Sequence, residues 1–204
     1  MTPLKTLKQA VAVFEEFGCK YCLIGGHAAS LYRAQPRLTK DVDFALIADP
    51  LSDSRKLAQR VIKNIGLKPM LGFIPARSNE KDRKAVCMVT STPLPNETTG
   101  LIDILLPELP WLAQAVERAQ HNKIDLGFKS LPVITPEDLI LAKCYALNNS
   151  PDRFQDLDDL KEIFGYVKNL DLDYLRHNLT KLELSIPELV RQFAPSSLLK
   201  GSQD

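Results

Sequence analysis

The segment LTKDVDFALI, residues 38–47, restricts the fold of this chain more than any other. Val42 and the run 44–47 have the apolar composition of a buried strand, whereas Asp41 and Asp43 are residues that strands disfavour. Successive side chains of a strand point to opposite faces, so the two carboxylates share a face, with their Cα atoms about 6.5–7 Å apart. Two like charges in this position indicate a cation between them.

A third carboxylate, Asp103, has the same context. It stands alone in the apolar segment GLIDILLP, where an unpaired acid would be costly to bury. If this segment pairs beside the DVDF strand, Asp103 joins Asp41 and Asp43 in one cluster. Three carboxylates suit one or two Mg²⁺ (or Mn²⁺) ions, which prefer hard oxygen ligands. The alternative is that Asp41 only starts the strand, while Asp43 and Asp103 pair with lysine or arginine.

A pair of glycines, Gly25 and Gly26, separates an apolar strand from helix-forming residues in LIGGHAASLY. Glycines at such a junction let backbone N–H groups approach a phosphate, and the start of the following helix adds positive potential. Glycine often serves geometry alone. The position of this pair shortly before the acidic segment favours a phosphate-binding role.

Strand-like and helical patterns alternate along the first two thirds of the chain. Apolar spacings of three and four predict helices near residues 4–17, 57–65 and 108–120, and short apolar runs predict strands at YCLIGG, DVDFALI, KAVCMVTST and GLIDILLP. A hairpin is expected around Gly127. From Thr135 and Pro136, an N-cap and first helical residue, the chain reads as all helical. We therefore predict an α/β (α+β) fold with a mixed sheet flanked by helices over residues 1–133, and a helical domain over 134–204.

Composition limits the choice of partners and compartment. The net charge is +1, so composition alone does not indicate nucleic-acid binding, and the mixed-charge run at 76–85 reads as a solvated loop, with an RNA contact as the alternative. No apolar stretch approaches the ~20 residues of a membrane span. Cys19 and Cys22 form CKYC, but the other two cysteines are isolated, which favours buried thiols over a zinc or redox site. We expect a soluble, cytoplasmic protein without a membrane partner.

Together these segments resemble the polymerase-beta-like nucleotidyltransferases. The family signature is a strand ending in GG or GS, a short helix, then R-x-T-x-D-x-D and a later strand with an acid between apolar residues. Here the matching residues are Gly25-Gly26, the run Arg37-Leu38-Thr39-Lys40-Asp41-Val42-Asp43, and Ile102-Asp103-Ile104. The resemblance implies a nucleotidyltransferase-type mixed sheet and transfer of NMP from an NTP to an acceptor hydroxyl.

The C-terminal part is most similar to the AbiEii-type toxins of toxin–antitoxin and abortive-infection systems, which follow the core with a lysine-bearing helix and an R-x-K-D-x-x-D segment. Lys143 and the segment RFQDLDD, with Arg153, Asp156 and Asp159, match this pattern. Three departures are Gly26 in place of the usual serine, Gln155 in place of the lysine of R-x-K-D, and an extra acid, Asp158, which leaves open whether Asp156 or Asp159 is the equivalent acid.

The resemblance also implies roles for these residues. Asp41, Asp43 and Asp103 would hold the metal, and Asp103 would assist deprotonation of the acceptor. The nucleotide would contact Gly25, Gly26, Arg37, Thr39 and Lys143, with Asp156 orienting Lys143. The implied acceptor is the 3′ end of tRNA, and the implied partner is an antitoxin. Two alternatives remain: an antibiotic-type nucleotidyltransferase acting on a small molecule, and a non-catalytic binding protein on the same fold.

Overall fold

The computed structural model describes residues 2–48, 53–72, 86–92 and 100–199. The mixed-charge run at 76–85 therefore lies outside the described residues. The chain groups into two compact units. The first comprises Met1–Ala28 and Arg37–Ile134, and the second comprises Ala29–Pro36 and Thr135–Asp204. Among the described residues, no helix has both the length and the hydrophobicity that crossing a membrane requires.

The first unit contains a five-stranded mixed sheet. Its strands are β1 (Lys20–Leu23), β2 (Val42–Ile47), β3 (Lys68–Gly72), β4 (Met88–Thr92) and β5 (Ile102–Leu105). The spatial order is β1-β2-β5-β4-β3, and β2 and β5 are parallel while the other neighbours are antiparallel. This arrangement confirms the predicted mixed sheet flanked by helices. Strand β3 was not expected from the sequence, because its segment KPMLG lacks an apolar alternation and forms an edge.

Helices and a small hairpin complete the first unit. The helices are α1 (Pro3–Glu16), α2 (Gly25–Leu31), α3 (Ser54–Asn64) and α4 (Leu112–Ala119), and the hairpin is β6 (Lys123–Asp125) with β7 (Ser130–Pro132). Helix α2 begins in the first unit and ends in the second. The side chains of Thr2 and Asp53 cap α1 and α3 by accepting backbone N–H groups.

The central acidic strand is fixed by an aromatic cluster on α1, β1 and β2. The Phe14 ring centroid lies 4.7 Å from that of Tyr21 and 4.9 Å from that of Phe44. Phe14 and Phe44 are fully buried. Because strand side chains alternate, burial of Phe44 on this face directs the neighbouring Asp43 to the opposite face of the sheet.

The second unit is helical, with α5 (Pro136–Asn149), α6 (Phe154–Tyr166), α7 (Leu172–Lys181), α8 (Glu188–Arg191) and α9 (Ser196–Leu199). Helix α5 packs against both α6 and α7. Thr135 caps α5: its hydroxyl accepts the Asp138 backbone N–H at 3.2 Å and donates to the Asp138 carboxylate at 2.8 Å. The predicted N-cap role of Thr135 is therefore confirmed.

The four cysteines all lie among the described residues and form no disulfide. Burial raises the pKa of the Cys19 thiol to about 11. Reactive and metal-binding thiols are stabilised as thiolates and have a lowered pKa. The buried environment of Cys19 has the opposite effect, because it raises the pKa of the thiol.

Candidate active site

Two acids occupy neighbouring positions on adjacent parallel strands of the first unit. The register pairs Asp43 on β2 with Asp103 on β5, and both residues are half-buried. Directly paired residues on adjacent strands point to the same face. Asp41 is the residue immediately before β2 and is also half-buried. The DVDF strand and the Asp103 strand are therefore neighbours in the sheet, as a shared acidic face requires.

The Asp43 carboxylate contacts the turn formed by Gly25 and Gly26. Asp43 Oδ2 accepts a hydrogen bond from the Gly26 backbone N–H at 3.4 Å. Gly25 has a φ of +62°, and a Cβ placed on it would lie 2.0 Å from Asp43 Oδ2. A side chain at position 25 would therefore meet both a backbone penalty and a steric overlap. Glycine is therefore needed at position 25 because the Asp43 carboxylate occupies the space that a Cβ would fill. The sequence alone did not reveal this role.

Asp103 is held by a residue that sequence reasoning missed. The Thr90 hydroxyl, on β4, donates a short hydrogen bond to Asp103 Oδ1. Burial raises the pKa of Asp103 above its usual range and the Asp41 carboxylate raises it further, whereas the Thr90 hydrogen bond opposes the rise. The opposite position of Thr90 and Asp103 in the β4–β5 register could have been found only with the strand pairing known.

The positions and chemistry of the three acids can be compared with what a metal site requires. Among residues 2–48, 53–72, 86–92 and 100–199, no three Asp, Glu, His or Cys side chains converge as a ready-made metal site. The chemistry of the donor set nevertheless fits a hard divalent cation, because the oxygens of Asp41, Asp43 and Asp103 are the ligand type that Mg²⁺ prefers. Mutual repulsion between Asp41 and Asp103, visible in the raised pKa of Asp103, is what a bound cation would relieve.

Arg37 and Thr39 cover the second glycine of the turn. A Cβ placed on Gly26 would lie 2.9 Å from both Arg37 Nη2 and Thr39 Oγ1. These two side chains therefore fill the space into which the usual serine would project. The neighbouring His27 is half-buried, and burial lowers its pKa, with a further lowering by Arg37 and an opposing effect of Asp41. Its imidazole is therefore neutral at pH 7.

In the second unit, Lys143 lies between two acids. Its Nζ is 2.7 Å from Asp156 Oδ1 and 2.7 Å from Asp159 Oδ2. The Lys143 side chain is only 5% exposed and that of Asp159 is 0% exposed. Both acids of the matched segment thus contact the same ammonium, so neither alone is its partner.

Lys143, Asp156 and Asp159 form a cluster, and each of its two acids also contacts an arginine. Arg153 Nε lies 2.5 Å from Asp156 Oδ2. Burial alone would raise the pKa of Asp156, but Lys143 and Arg153 outweigh it and hold that pKa below its usual range. Arg33, which the sequence did not single out, contacts Asp159 Oδ1 at 2.7 Å and Asp158 Oδ2 at 2.8 Å. Asp158, an extra acid in the sequence pattern, is therefore a partner of Arg33.

Solved structures with the same fold include two nucleotidyltransferase-type proteins. ANT(2″)-Ia in complex with adenylyl-2″-tobramycin aligns with a TM-score of 0.58, 15% identity, and coverage of 89% of this chain and 99% of that chain. An antigenic nucleotidyltransferase-like protein from Paracoccidioides brasiliensis aligns with a TM-score of 0.50, 15% identity and 95% coverage of both chains. At this identity the likenesses concern the fold. A search of curated proteins gave no significant match.

The mixed five-stranded sheet flanked by helices matches nucleotidyltransferase-type folds, and the enzyme class is confirmed by the family comparison. The model described as "Nucleotidyl transferase AbiEii toxin, Type IV TA system" matches residues 7–187. The chain belongs to this AbiEii nucleotidyltransferase family. The resemblance identified from the sequence motifs is therefore confirmed.

Proposed function

We propose that this enzyme transfers NMP from an NTP to an acceptor hydroxyl in a reaction that depends on Mg²⁺ or Mn²⁺, with release of pyrophosphate. The observation that carries the proposal is the pairing of Asp43 with Asp103 on adjacent parallel strands, beside the Gly25-Gly26 turn. The family match supports nucleotidyl transfer, and the donor set of the acids supports a divalent cation.

In this proposal, Asp41, Asp43 and Asp103 hold the metal, which when bound would neutralise charge on the nucleotide phosphates. Asp103 also accepts the proton of the attacking hydroxyl. Burial raises the pKa of this carboxyl and so makes it the more basic proton acceptor. The turn at Gly25 and Gly26 offers backbone N–H groups to phosphate oxygens.

Arg37 and Thr39 are proposed to contact phosphate beside Gly26, and Lys143 is proposed to contact it as a point charge. An ammonium has three N–H donors, and two of those on Lys143 bond Asp156 and Asp159. The third is the donor that we assign to the nucleotide. Residues 1–133 would form the catalytic domain and residues 134–204 the helical domain that supplies Lys143.

The proposed acceptor is the 3′ end of tRNA, and the proposed setting is the cytoplasm, with the protein acting as a toxin restrained by a cognate antitoxin. The family description, which names a type IV toxin–antitoxin system, supports this context. The second candidate is a small-molecule acceptor. The complex of ANT(2″)-Ia with adenylyl-2″-tobramycin, on a similar fold, makes a small-molecule arm of the test worthwhile. A non-catalytic binding protein is the third candidate.

The test is incubation of the purified protein with each α-labelled NTP, Mg²⁺ and total bacterial RNA, and in parallel with aminoglycosides. Asp43→Ala serves as the inactive control, and its folding is checked by circular dichroism. Label in tRNA with wild type alone would establish the acceptor and the base. Label in the aminoglycoside would move the assignment to the second candidate. NTP binding without any transfer would favour the binding protein.

A further inference from the structure

The cluster around Lys143 extends to Arg33, which lies outside the motifs used to assign the family. Arg33 belongs to the segment Ala29–Pro36, which groups with the helical unit. Its side chain is 9% exposed and makes two ion pairs, at 2.7 Å to Asp159 and at 2.8 Å to Asp158. Burying a guanidinium is costly unless its charge is compensated, so this position is strongly specified.

The two oxygens of Asp159 serve two different cations. Oδ2 accepts from Lys143 Nζ, and Oδ1 accepts from Arg33 Nη1, each at 2.7 Å. A carboxylate bonded at both oxygens cannot rotate without breaking one of the bonds. Asp159 is fully buried, so no solvent could replace a lost partner. The orientation of Asp159, one of the two acids that hold Lys143, thus depends on Arg33.

The charges of the cluster also make the position of the Lys143 ammonium depend on Arg33. Arg33, Lys143 and Arg153 face Asp156, Asp158 and Asp159 through ion pairs of 2.5–2.8 Å. Without Arg33, Asp159 would lose the cation at Oδ1 and keep the Lys143 ammonium at Oδ2. The ammonium would then be drawn toward Asp159, and the direction of its third N–H would change.

We propose that Arg33 is a positioning residue for nucleotidyl transfer, acting through Asp159 to hold the Lys143 ammonium in the geometry that contacts the nucleotide. The inference rests on the proposed role of Lys143 as a phosphate contact. In this role Arg33 would act through Asp159 rather than by touching the nucleotide. Its effect on nucleotide binding therefore depends on the presence of Lys143.

A double-mutant cycle on the full-length protein tests this dependence. The dissociation constant of each Mg·NTP is measured by titration calorimetry, and the tightest binder is used for Arg33→Met, Lys143→Met and the double variant. Loss of a hydrogen bond to a charged group corresponds to about tenfold or more, so Lys143→Met should weaken binding by about that factor. Arg33→Met should weaken it too, and the double variant should bind no more weakly than Lys143→Met alone.

Three further variants separate positioning from general stability. Arg176→Met removes an arginine that pairs at 2.8 Å with the exposed Asp173 in the same unit, and it should leave binding unchanged. Arg33→Lys keeps the charge but cannot reproduce the two-pronged contact, so its binding should be intermediate. Asp158→Asn removes only the half-exposed partner of Arg33, so it should fold normally and weaken binding less than Arg33→Met. Thermal unfolding is recorded for each variant.

The outcomes distinguish the inference from the function on which it rests. Independent, multiplying losses in the double variant, or wild-type binding by folded Arg33→Met, would overturn the positioning role while leaving Lys143 as a phosphate contact. If Arg33→Met does not fold, the same cycle with Arg33→Lys decides in the same way. Wild-type binding by Lys143→Met, or no binding of any Mg·NTP by the wild type, would overturn the proposed role of Lys143 and the inference with it.

Discussion

Replacement of Gly25 by alanine should disable the site by displacing one carboxylate. The added Cβ would lie 2.0 Å from Asp43 Oδ2, 2.4 Å from its Cγ and 2.7 Å from its Cβ. Because even the Asp43 Cβ is too close, rotating the carboxylate cannot by itself relieve the overlap, and the two strand ends must separate. Overpacking of this kind costs about 1–3 kcal/mol. The left-handed φ of +62° adds about 1–2 kcal/mol for any residue with a Cβ.

The chain offers a matched control for the backbone part of this penalty. Gly18 has the same φ of +62°, but nothing lies within 4 Å of its Cβ position. Gly18→Ala should therefore lose about 1–2 kcal/mol, or about 2–8 °C in unfolding temperature, from backbone strain alone. Gly25→Ala should lose more, and the difference between the two variants measures the overlap with Asp43.

The assay is nucleotidyl transfer by both variants at saturating NTP, with unfolding temperatures measured in parallel. A displacement of about 1 Å in a catalytic group can cost about 10²-fold in rate, so transfer by Gly25→Ala should fall by about that factor or more. Gly18→Ala should stay near the wild-type rate. Full activity in Gly25→Ala, or an equal loss in Gly18→Ala, would refute the view that Gly25 is needed to seat Asp43.

Three other predictions concern neighbouring contacts. Thr90→Val removes the hydroxyl that lowers the pKa of Asp103, so the acidic limb of the pH–rate profile should move to higher pH; an unchanged limb would contradict Asp103 as the base. Ion pairs hold the pKa of Asp156 below its usual range, so the stability that this carboxylate contributes is complete above about pH 4 and is lost as the pH falls further. Asp156→Asn should therefore reduce the free energy of unfolding at pH 7 by about 3–5 kcal/mol and make that free energy less dependent on acid pH. Urea unfolding at several pH values measures both effects. Gly26→Ser should displace both the Arg37 guanidinium and the Thr39 hydroxyl, which a Cβ at position 26 would approach to 2.9 Å, so NTP binding should weaken at least to the level of Arg37→Ala; wild-type affinity would argue against these two side chains as phosphate contacts.

The parts of the fold that the sequence predicted were those with strong local patterns. Strand β2 and helices α1, α3 and α5 each carry an apolar periodicity or a capping residue within their own segments. Strand β3 does not, because at a sheet edge a strand can tolerate Pro69 and exposed residues. Its existence depends on pairing with β4, which no local pattern encodes.

The same distinction applies to the site. Asp43 and Asp103 could be singled out because an acid inside an apolar strand is unusual wherever the strand lies. Thr90 and Arg33 are ordinary residues in their local sequence, and they gain meaning only from partners far along the chain. The glycine turn was identified, but its relation to Asp43 required the positions of individual atoms.

The parallel pairing of β2 with β5 also has a consequence for the lifetime of the folded enzyme. Parallel strands that are distant in sequence associate slowly, since a long crossover must close before the pairing contributes stability. This pairing brings Asp43 beside Asp103, and bringing two carboxylates together is unfavourable without a cation. A cation that binds only the completed pair would stabilise the folded state without helping the chain to reach it. The ion would then act chiefly by slowing unfolding, so withdrawal of the metal would shorten the survival of the native enzyme while leaving its rate of refolding nearly the same.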